Sequence, residues 1–228
     1  MRALDRSQRH DRAWLKVDWR KALSSSLAPA DETIIVEWIG YGRPLVVARS
    51  LSDDHPGSIR LGLALPGKRR LGMTVEQQAI ARLAPPMPLE EAMGTAPLQW
   101  RKPLGKLISD FAALGLSLRV FGSLAWHCFV IAGSEEHDVG YLTSTSDIDL
   151  LVAPRTVNEC DAACRVLAEF EVDHPTPRLD GEFTFPDESA ASWREFISRP
   201  DRILVKRTHE VVLLPFSNLE GLFTRMAA

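Results

Sequence analysis

The 228-residue sequence has no apolar run approaching the ~20 residues that span a bilayer. It lacks a secretory pattern as well, because Arg2, Arg6, Arg9 and Arg12 interrupt every apolar stretch near the start. There are only three cysteines, Cys128, Cys160 and Cys164, an odd number without zinc-ligand spacing. Cys160 and Cys164 lie four apart, so on a helix they are neighbours, where cysteine acts as a small core residue. An excess of either charge is also missing. Lys and Arg number 27 against 30 Asp and Glu, for a net charge of −3, which argues against general binding to nucleic acid or an anionic membrane. These absences predict a reduced, cytoplasmic protein with neither membrane nor nucleic acid as partner. What is present is ordinary globular composition, 45% apolar and 25% charged, with enough chain for one large domain or two small ones.

Residues 1–24 carry seven Lys/Arg against Asp5, Asp11 and Asp18 and read as a solvated or partly helical arm. Thr33 to Ile39 is rich in β-formers, Gly40 to Pro44 reads as a turn, and Leu45 to Arg49 answers it, so a hairpin is predicted. Ile59 to Leu65 is a further strand. Thr74 to Leu83 has the capping-box pattern of a short helix, with Thr74 as N-cap and Gln77 as its partner. Prolines 85, 86 and 88, and then Gly94 to Pro97, break regular structure. The boundary is placed there, giving a β-rich domain over 1–95 and a second domain over 96–228.

In the second domain helix and strand signals alternate. Leu104, Leu107, Ile108, Phe111 and Leu114 recur at helical spacing behind Pro103, and Gly115 supplies the stop. A strand over 116–121, a helix from Gly122 to about Ile131 and a polar loop over 133–145 follow. Then come a strand over 147–152, a helix near 156–170, and strands over 178–185, 203–206 and 210–214. The expected class is α+β, a mixed sheet with flanking helices.

Chemistry concentrates in two stretches. In Ser146-Asp147-Ile148-Asp149-Leu150-Leu151-Val152, strand alternation turns Asp147 and Asp149 to one face and Ile148, Leu150 and Val152 to the other. Two neighbouring carboxylates repel and resist desolvation, and a hard divalent cation such as Mg²⁺ or Mn²⁺ resolves the conflict. On its own the pair also fits a strand end meeting water. In Val120-Phe121-Gly122-Ser123-Leu124, a glycine between strand and helix permits close backbone approach, while Ser123 and the free N–H groups of the helix start attract phosphate. Together the two stretches set a phosphate cradle beside a dicarboxylate.

This constellation resembles the minimal nucleotidyltransferases of the DNA polymerase β superfamily. The resemblance implies that Gly122 and Ser123 hold a triphosphate and that Asp147 and Asp149 bind Mg²⁺. It also implies a third carboxylate on a neighbouring strand, for which Asp180 and Glu182 are both candidates. The spacing between Ser123 and Asp147 is longer than the superfamily's usual spacing, and the polar insertion at Ser134 to Asp138 accounts for it. Further motifs narrow the match: His10-Asp11 with Trp14-Leu15, Gly42-Arg43-Pro44, Gly67-Lys68-Arg69-Arg70, Leu179-Asp180-Gly181-Glu182, Trp193-Arg194-Glu195 and Leu204-Val205-Lys206. In this order they resemble the holo-acyl-carrier-protein synthases of malonate decarboxylase, also called phosphoribosyl-dephospho-CoA transferases. That family's activity implies a 2′-(5″-triphosphoribosyl)-3′-dephospho-CoA donor, an apo acyl-carrier subunit as acceptor, and diphosphate release. Lys68, Arg69 and Arg70 are candidates for gripping the donor diphosphate or an acidic carrier surface, and Lys206 for reaching the triphosphate. Two other readings stand beside it: a minimal nucleotidyltransferase using ATP, and a non-catalytic module that docks the carrier.

Overall fold

The computed structural model describes residues 7–131, 140–207 and 210–223. The chain divides into two compact units, one formed by Met1–Pro86 with Phe129–Tyr141 and the other by Met87–Cys128 with Leu142–Ala228. Part of the polar loop expected over 133–145, including the insertion at 134–138, lies outside the described residues.

The first unit is built on β1 (Arg12–Leu15), α1 (Pro29–Gly40), β2 (Leu45–Val47), β3 (Ser58–Ala64), β4 (Arg70–Glu76) and β5 (Ile80–Ala84). Its strands form an antiparallel sheet in the order β4-β3-β2-β1-β5. Leu71, Met73 and Val75 stand opposite Leu63, Leu61 and Ile59 in register on the buried face. Three local expectations are corrected here. The basic arm contains β1, which pairs with both β2 and β5 and buries Ala13, and Trp19 just beyond it is 3% exposed. The segment 33–39 belongs to helix α1 rather than to a hairpin strand. Pro29 begins the helix, Asp31 and Glu32 occupy its first turn, and Ile35 and Trp38 are buried one helical step apart. The segment 74–83 is not a helix. β4 runs through Thr74 to Glu76 in register with β3, a short 3₁₀ turn follows, and β5 returns. Alternating burial at 71, 73 and 75 is a period of two, and sheet pairing overrides the local capping pattern.

The second unit comprises β6 (Met87–Pro88), α2 (Leu89–Met93), α3 (Leu98–Ala113), β7 (Leu118–Phe121), α4 (Gly122–Ile131) as far as Cys128, and β8 (Ile148–Val152). It continues with α5 (Val157–Asp173), β9 (Leu179–Thr184), β10 (Ala190–Ser192), α6 (Trp193–Ser198), β11 (Arg202–Lys206), β12 (Val211–Pro215) and α7 (Glu220–Phe223). Its seven strands are ordered β12-β11-β10-β9-β8-β7-β6. Only β8 and β9 run parallel, joined by the α5 crossover, so the sheet is mixed and the α+β class expected from the sequence holds. The sequence reading assigned no element to β10 or α6, although Ser192 and Glu195 stand at capping-box spacing; the Ser192 hydroxyl accepts from the Arg194 N–H at 3.3 Å, while Glu195 accepts from the Leu204 N–H at 2.7 Å.

The two faces of this sheet differ. Leu118, Val120, Ile148, Leu150, Val152, Leu179, Phe183, Ala191, Ile203 and Val205 are buried on one side. The helices bring their own apolar stripes to the core: Trp100, Leu104, Leu107 and Phe111 of α3, Cys160, Cys164, Leu167 and Phe170 of α5, and Trp193 and Phe196 of α6. The Phe183 and Phe196 rings meet edge to face at 5.0 Å. The other face carries Arg119, Asp149, Asp180, Glu182, Thr184, Ser192 and Lys206, with Phe121 and the buried Leu151 among them. That segregation leaves a polar face on a rigid sheet, which suits a reaction site.

Candidate active site

β7 and β8 are antiparallel, so the end of β7 lies beside the start of β8, and Phe121 faces Asp149 in the ladder. The parallel β9 starts at the same end, and there Asp149 is in register with Asp180 and Leu151 with Glu182. Neighbouring strands are about 4.8 Å apart, so the Asp149 and Asp180 side chains leave the same face side by side. Asp147, two residues before Asp149, shares that face. Its carboxylate lies 3.6 Å from the Arg178 guanidinium; both groups are largely open to water, so the pair contributes little stability. The Ile148 N–H donates to the Arg178 carbonyl at 2.9 Å and ties the two strand starts together.

Gly122 opens α4 directly above this end, with φ of +65°. A Cβ built there would fall 1.8 Å from Asp149 Oδ2 and 2.7 Å from its Cγ, so glycine is the residue that leaves the Asp149 carboxylate its place against the helix start. Gly181 serves the neighbouring strand. At φ of +146° its missing Cβ would lie 2.1 Å from the Leu150 carbonyl oxygen, and the bare backbone lets β9 lie against β8 between Asp180 and Glu182. The Asp180 Oδ1 accepts from the Gly181 N–H at 2.8 Å.

Glu182 stands two residues deeper in the sheet and is 6% exposed. It accepts from Lys206 Nζ at 2.6 Å, so this glutamate and this lysine form a pair across the same face. The structure therefore brings together Gly122, Ser123, Asp147, Asp149 and Asp180 at one sheet end, with Glu182 and Lys206 coupled further along. Lys68, Arg69 and Arg70 lie in the other unit, around the turn from β3 into β4, where Arg69 pairs with Asp31 of α1.

Two residues without an assigned task emerge behind the site. The Arg194 guanidinium holds Glu171 of α5 at 2.6 and 3.1 Å and donates to the Leu179 carbonyl at 2.5 Å. Glu171 in turn accepts from the Leu179 N–H at 3.3 Å. Both backbone groups of the residue preceding Asp180 are thus fixed. The Trp193-Arg194-Glu195 stretch contained this arginine, but its partner lies on another helix, so no local pattern exposed the clamp. His127, 6% exposed, donates through Nε2 to the Thr95 carbonyl at 3.1 Å and belongs to the packing of its unit.

The resemblance implies a divalent cation. Among the described residues no three His, Cys, Asp or Glu side chains are gathered into a ready-made metal cluster. Mg²⁺ does not need one, being held by one or two carboxylates together with substrate phosphates and water. Asp147 and Asp149 on one strand face, beside the start of α4, are a donor set of that kind.

Comparison with known proteins decides the family. The N-terminal domain of the phosphoribosyl-dephospho-CoA transferase MdcG family matches residues 8–86, and its C-terminal domain matches residues 87–216. The chain belongs to this family. Relatives named phosphoribosyl-dephospho-CoA transferase include one from Xanthomonas campestris pv. campestris, 36% identical over 91% of this chain and 93% of its own length. One from Xanthomonas axonopodis pv. citri is 34% identical over the same shares, and one from Bradyrhizobium diazoefficiens is 32% identical over 90% and 89%. No solved structure matches the chain. Membership in the phosphoribosyl-dephospho-CoA transferase family makes the protein an enzyme of the transferase class, and the junction of its two matched domains falls between Pro86 and Met87. Among the described residues no helix is long and apolar enough to cross a membrane.

Proposed function

We propose that the protein transfers a phosphoribosyl-dephospho-CoA group from 2′-(5″-triphosphoribosyl)-3′-dephospho-CoA to a serine of the apo acyl-carrier subunit of malonate decarboxylase. The observation that carries this reading is the convergence of the Gly122 helix start with Asp147, Asp149 and Asp180 on one end of the polar sheet face. The family match and the names of its relatives support the donor group.

In the proposed reaction the serine oxygen attacks the α-phosphorus of the donor. A new phosphate ester bond forms, the bond to the β-phosphate oxygen breaks, and diphosphate leaves. The backbone N–H groups at the start of α4 and the Ser123 hydroxyl hold the departing phosphates, where a helix N-terminus favours negative charge. Asp147 and Asp149 would hold Mg²⁺ or Mn²⁺, which when bound neutralises charge growing on the diphosphate. Asp180, in register with Asp149, is the third carboxylate: it completes the acidic set or accepts the serine proton. Glu182 is engaged by Lys206 and instead fixes that lysine on the donor side of the sheet. The polymerase β superfamily likeness, a catalytic role for the C-terminal region and a binding role for the β-rich N-terminal one are parts of the same reading. A cytoplasmic setting is too, supported by the buried Cys160 and Cys164 without a disulfide.

The test is intact-mass analysis of the apo-carrier after incubation with the protein, Mg²⁺ and the triphosphoribosyl donor, with a parallel reaction containing ATP. A mass gain of one phosphoribosyl-dephospho-CoA, abolished by EDTA, is expected. A nucleotide adduct from ATP alone would replace this reading with protein nucleotidylation, and carrier binding without any adduct would reduce the protein to a docking module.

A further inference from the structure

We propose that the outer face of the N-terminal sheet is the docking surface for an acidic face of the acyl-carrier partner. This rests on the carrier being the acceptor. The chain is acidic overall, yet its charge is divided. The unit formed by residues 1–86 and 129–141 contains 14 Lys and Arg against 12 Asp and Glu, a net charge of +2, whereas the other unit contains 13 against 18, a net charge of −5.

The ladder registers collect part of that positive charge on one surface. Gly72 faces Gly62, Gly62 faces Val46, Val46 faces Arg12 and Arg12 faces Ala84, so one row crosses all five strands. Two residues along the same face, Arg70 faces Ala64 at one edge and Trp14 faces Arg82 at the other. Four strand spacings separate those edges, which places Arg70 and Arg82 about 19 Å apart. Arg70 and Arg82 are exposed, as is Lys68 in the adjoining turn, and none of the three meets a carboxylate among the described residues. Arg82 lies 3.5 Å above the Trp14 ring, which holds its guanidinium on the surface, and the Trp14 indole is itself tied to the Gly42 carbonyl at 2.9 Å.

Of the acidic residues in this unit, Asp54 pairs with Arg60, Asp31 with Arg69 and Glu32 with Arg20, while Glu76 is exposed on the same face six residues along β4 from Arg70. Between the two arginines the rows hold Gly62, Ala64, Val46, Arg12 and Trp14, and Tyr141 donates to the Ala64 carbonyl at 2.9 Å. Donors that grip one phosphate converge on it, whereas cations spread over a sheet face match an acidic protein surface of comparable width. The geometry therefore assigns Arg70 to partner docking rather than to the donor diphosphate.

The test uses the full chain carrying Arg70→Glu and Arg82→Glu, and a charge-matched control carrying Lys102→Glu and Arg165→Glu on exposed positions of α3 and α5. Apo-carrier Kd is measured directly at low and high salt, together with carrier KM, donor KM and the melting curve. The sheet-face variant is expected to raise carrier Kd and carrier KM roughly tenfold at low salt with donor KM unchanged, the control matches wild type, and added salt narrows the difference. Equal carrier Kd in wild type and sheet-face variant overturns the proposal, as does an equal loss in both variants or a rise in donor KM alone. Failure of the reaction is read separately. A wild-type chain that binds carrier but transfers nothing refutes the proposed chemistry, while loss of that binding in the sheet-face variant still supports docking here.

Discussion

Substituting Gly122 by alanine tests the centre of the site. At φ of +65° an alanine costs about 1–2 kcal/mol in backbone strain alone. Its Cβ would stand 1.8 Å from Asp149 Oδ2. Non-bonded heavy atoms settle at about 3.5 Å, so the carboxylate or the helix start must retreat by more than about 1.5 Å. Misplacing a reacting group by about 1 Å costs on the order of 100-fold in rate, so kcat for carrier modification should fall at least that far. Stability should fall by only about 1–3 kcal/mol, because the displaced carboxylate sits on a polar face and can turn toward water. For a chain of this size that lowers Tm by roughly 2–4 °C per kcal/mol. Gly105→Ala is the matched control. Its Cβ would meet Met93 Sδ at an ordinary 3.8 Å, and alanine is the better helix former by about 0.8–1.0 kcal/mol, so this variant should melt slightly higher and keep full activity. Turnover and Tm are read on both variants by the mass assay and by circular dichroism. A folded Gly122→Ala protein with kcat within threefold of wild type would refute the cradle.

Other perturbations separate neighbouring roles. Asp180→Asn should cut turnover by on the order of 100-fold with little change in Tm, whereas Glu182→Gln leaves Lys206 without its charged partner and should cost about 2 kcal/mol of stability, read by urea unfolding. Equal turnover losses with equal stability losses would cancel the distinction between the two carboxylates. Arg194→Met removes the anchor of the Leu179 carbonyl and the partner that holds Glu171 against the Leu179 N–H, and its turnover defect should exceed the fraction of protein unfolded; a defect no larger than that fraction would make the clamp purely structural. Burial pushes the Cys164 thiol up to about 12, and the Cys160 thiol is also pushed up, first by burial and then by Cys164 beside it. Because a raised thiol pKa keeps the reactive thiolate scarce at neutral pH, both cysteines should resist a thiol reagent in the native protein and react on unfolding. Rapid native labelling of either, located by peptide mass, would contradict their place in the core.

The residues bearing the candidate chemistry were legible in the sequence because their signals are local. Gly122 and Ser123 mark a strand-to-helix turn, Asp147 and Asp149 alternate on one strand, and the apolar spacings of α3 and α5 follow the helical repeat. Local signals failed where two patterns competed. Ile34, Ile35 and Val36 are β-formers, yet Pro29 and the acidic first turn start a helix that buries Ile35 and Trp38. Thr74 and Gln77 mimic a capping box, yet residue-by-residue pairing with β3 keeps that segment extended. The choice between Asp180 and Glu182 was beyond the sequence, because residues two apart on a strand share a face whatever stands beside them. The parallel register gives the two different surroundings, Asp180 against Asp149 and Glu182 beside Lys206. Arg70 and Arg82, at opposite edges, likewise come to share one row only through the ladders of a five-stranded sheet. Sequence patterning thus determined residue types, family and the elements that carry the candidate motifs, since periodicity and turn chemistry act over a few residues. Tertiary structure decided which distant side chains share a surface, since strand order and register are set by long-range pairing.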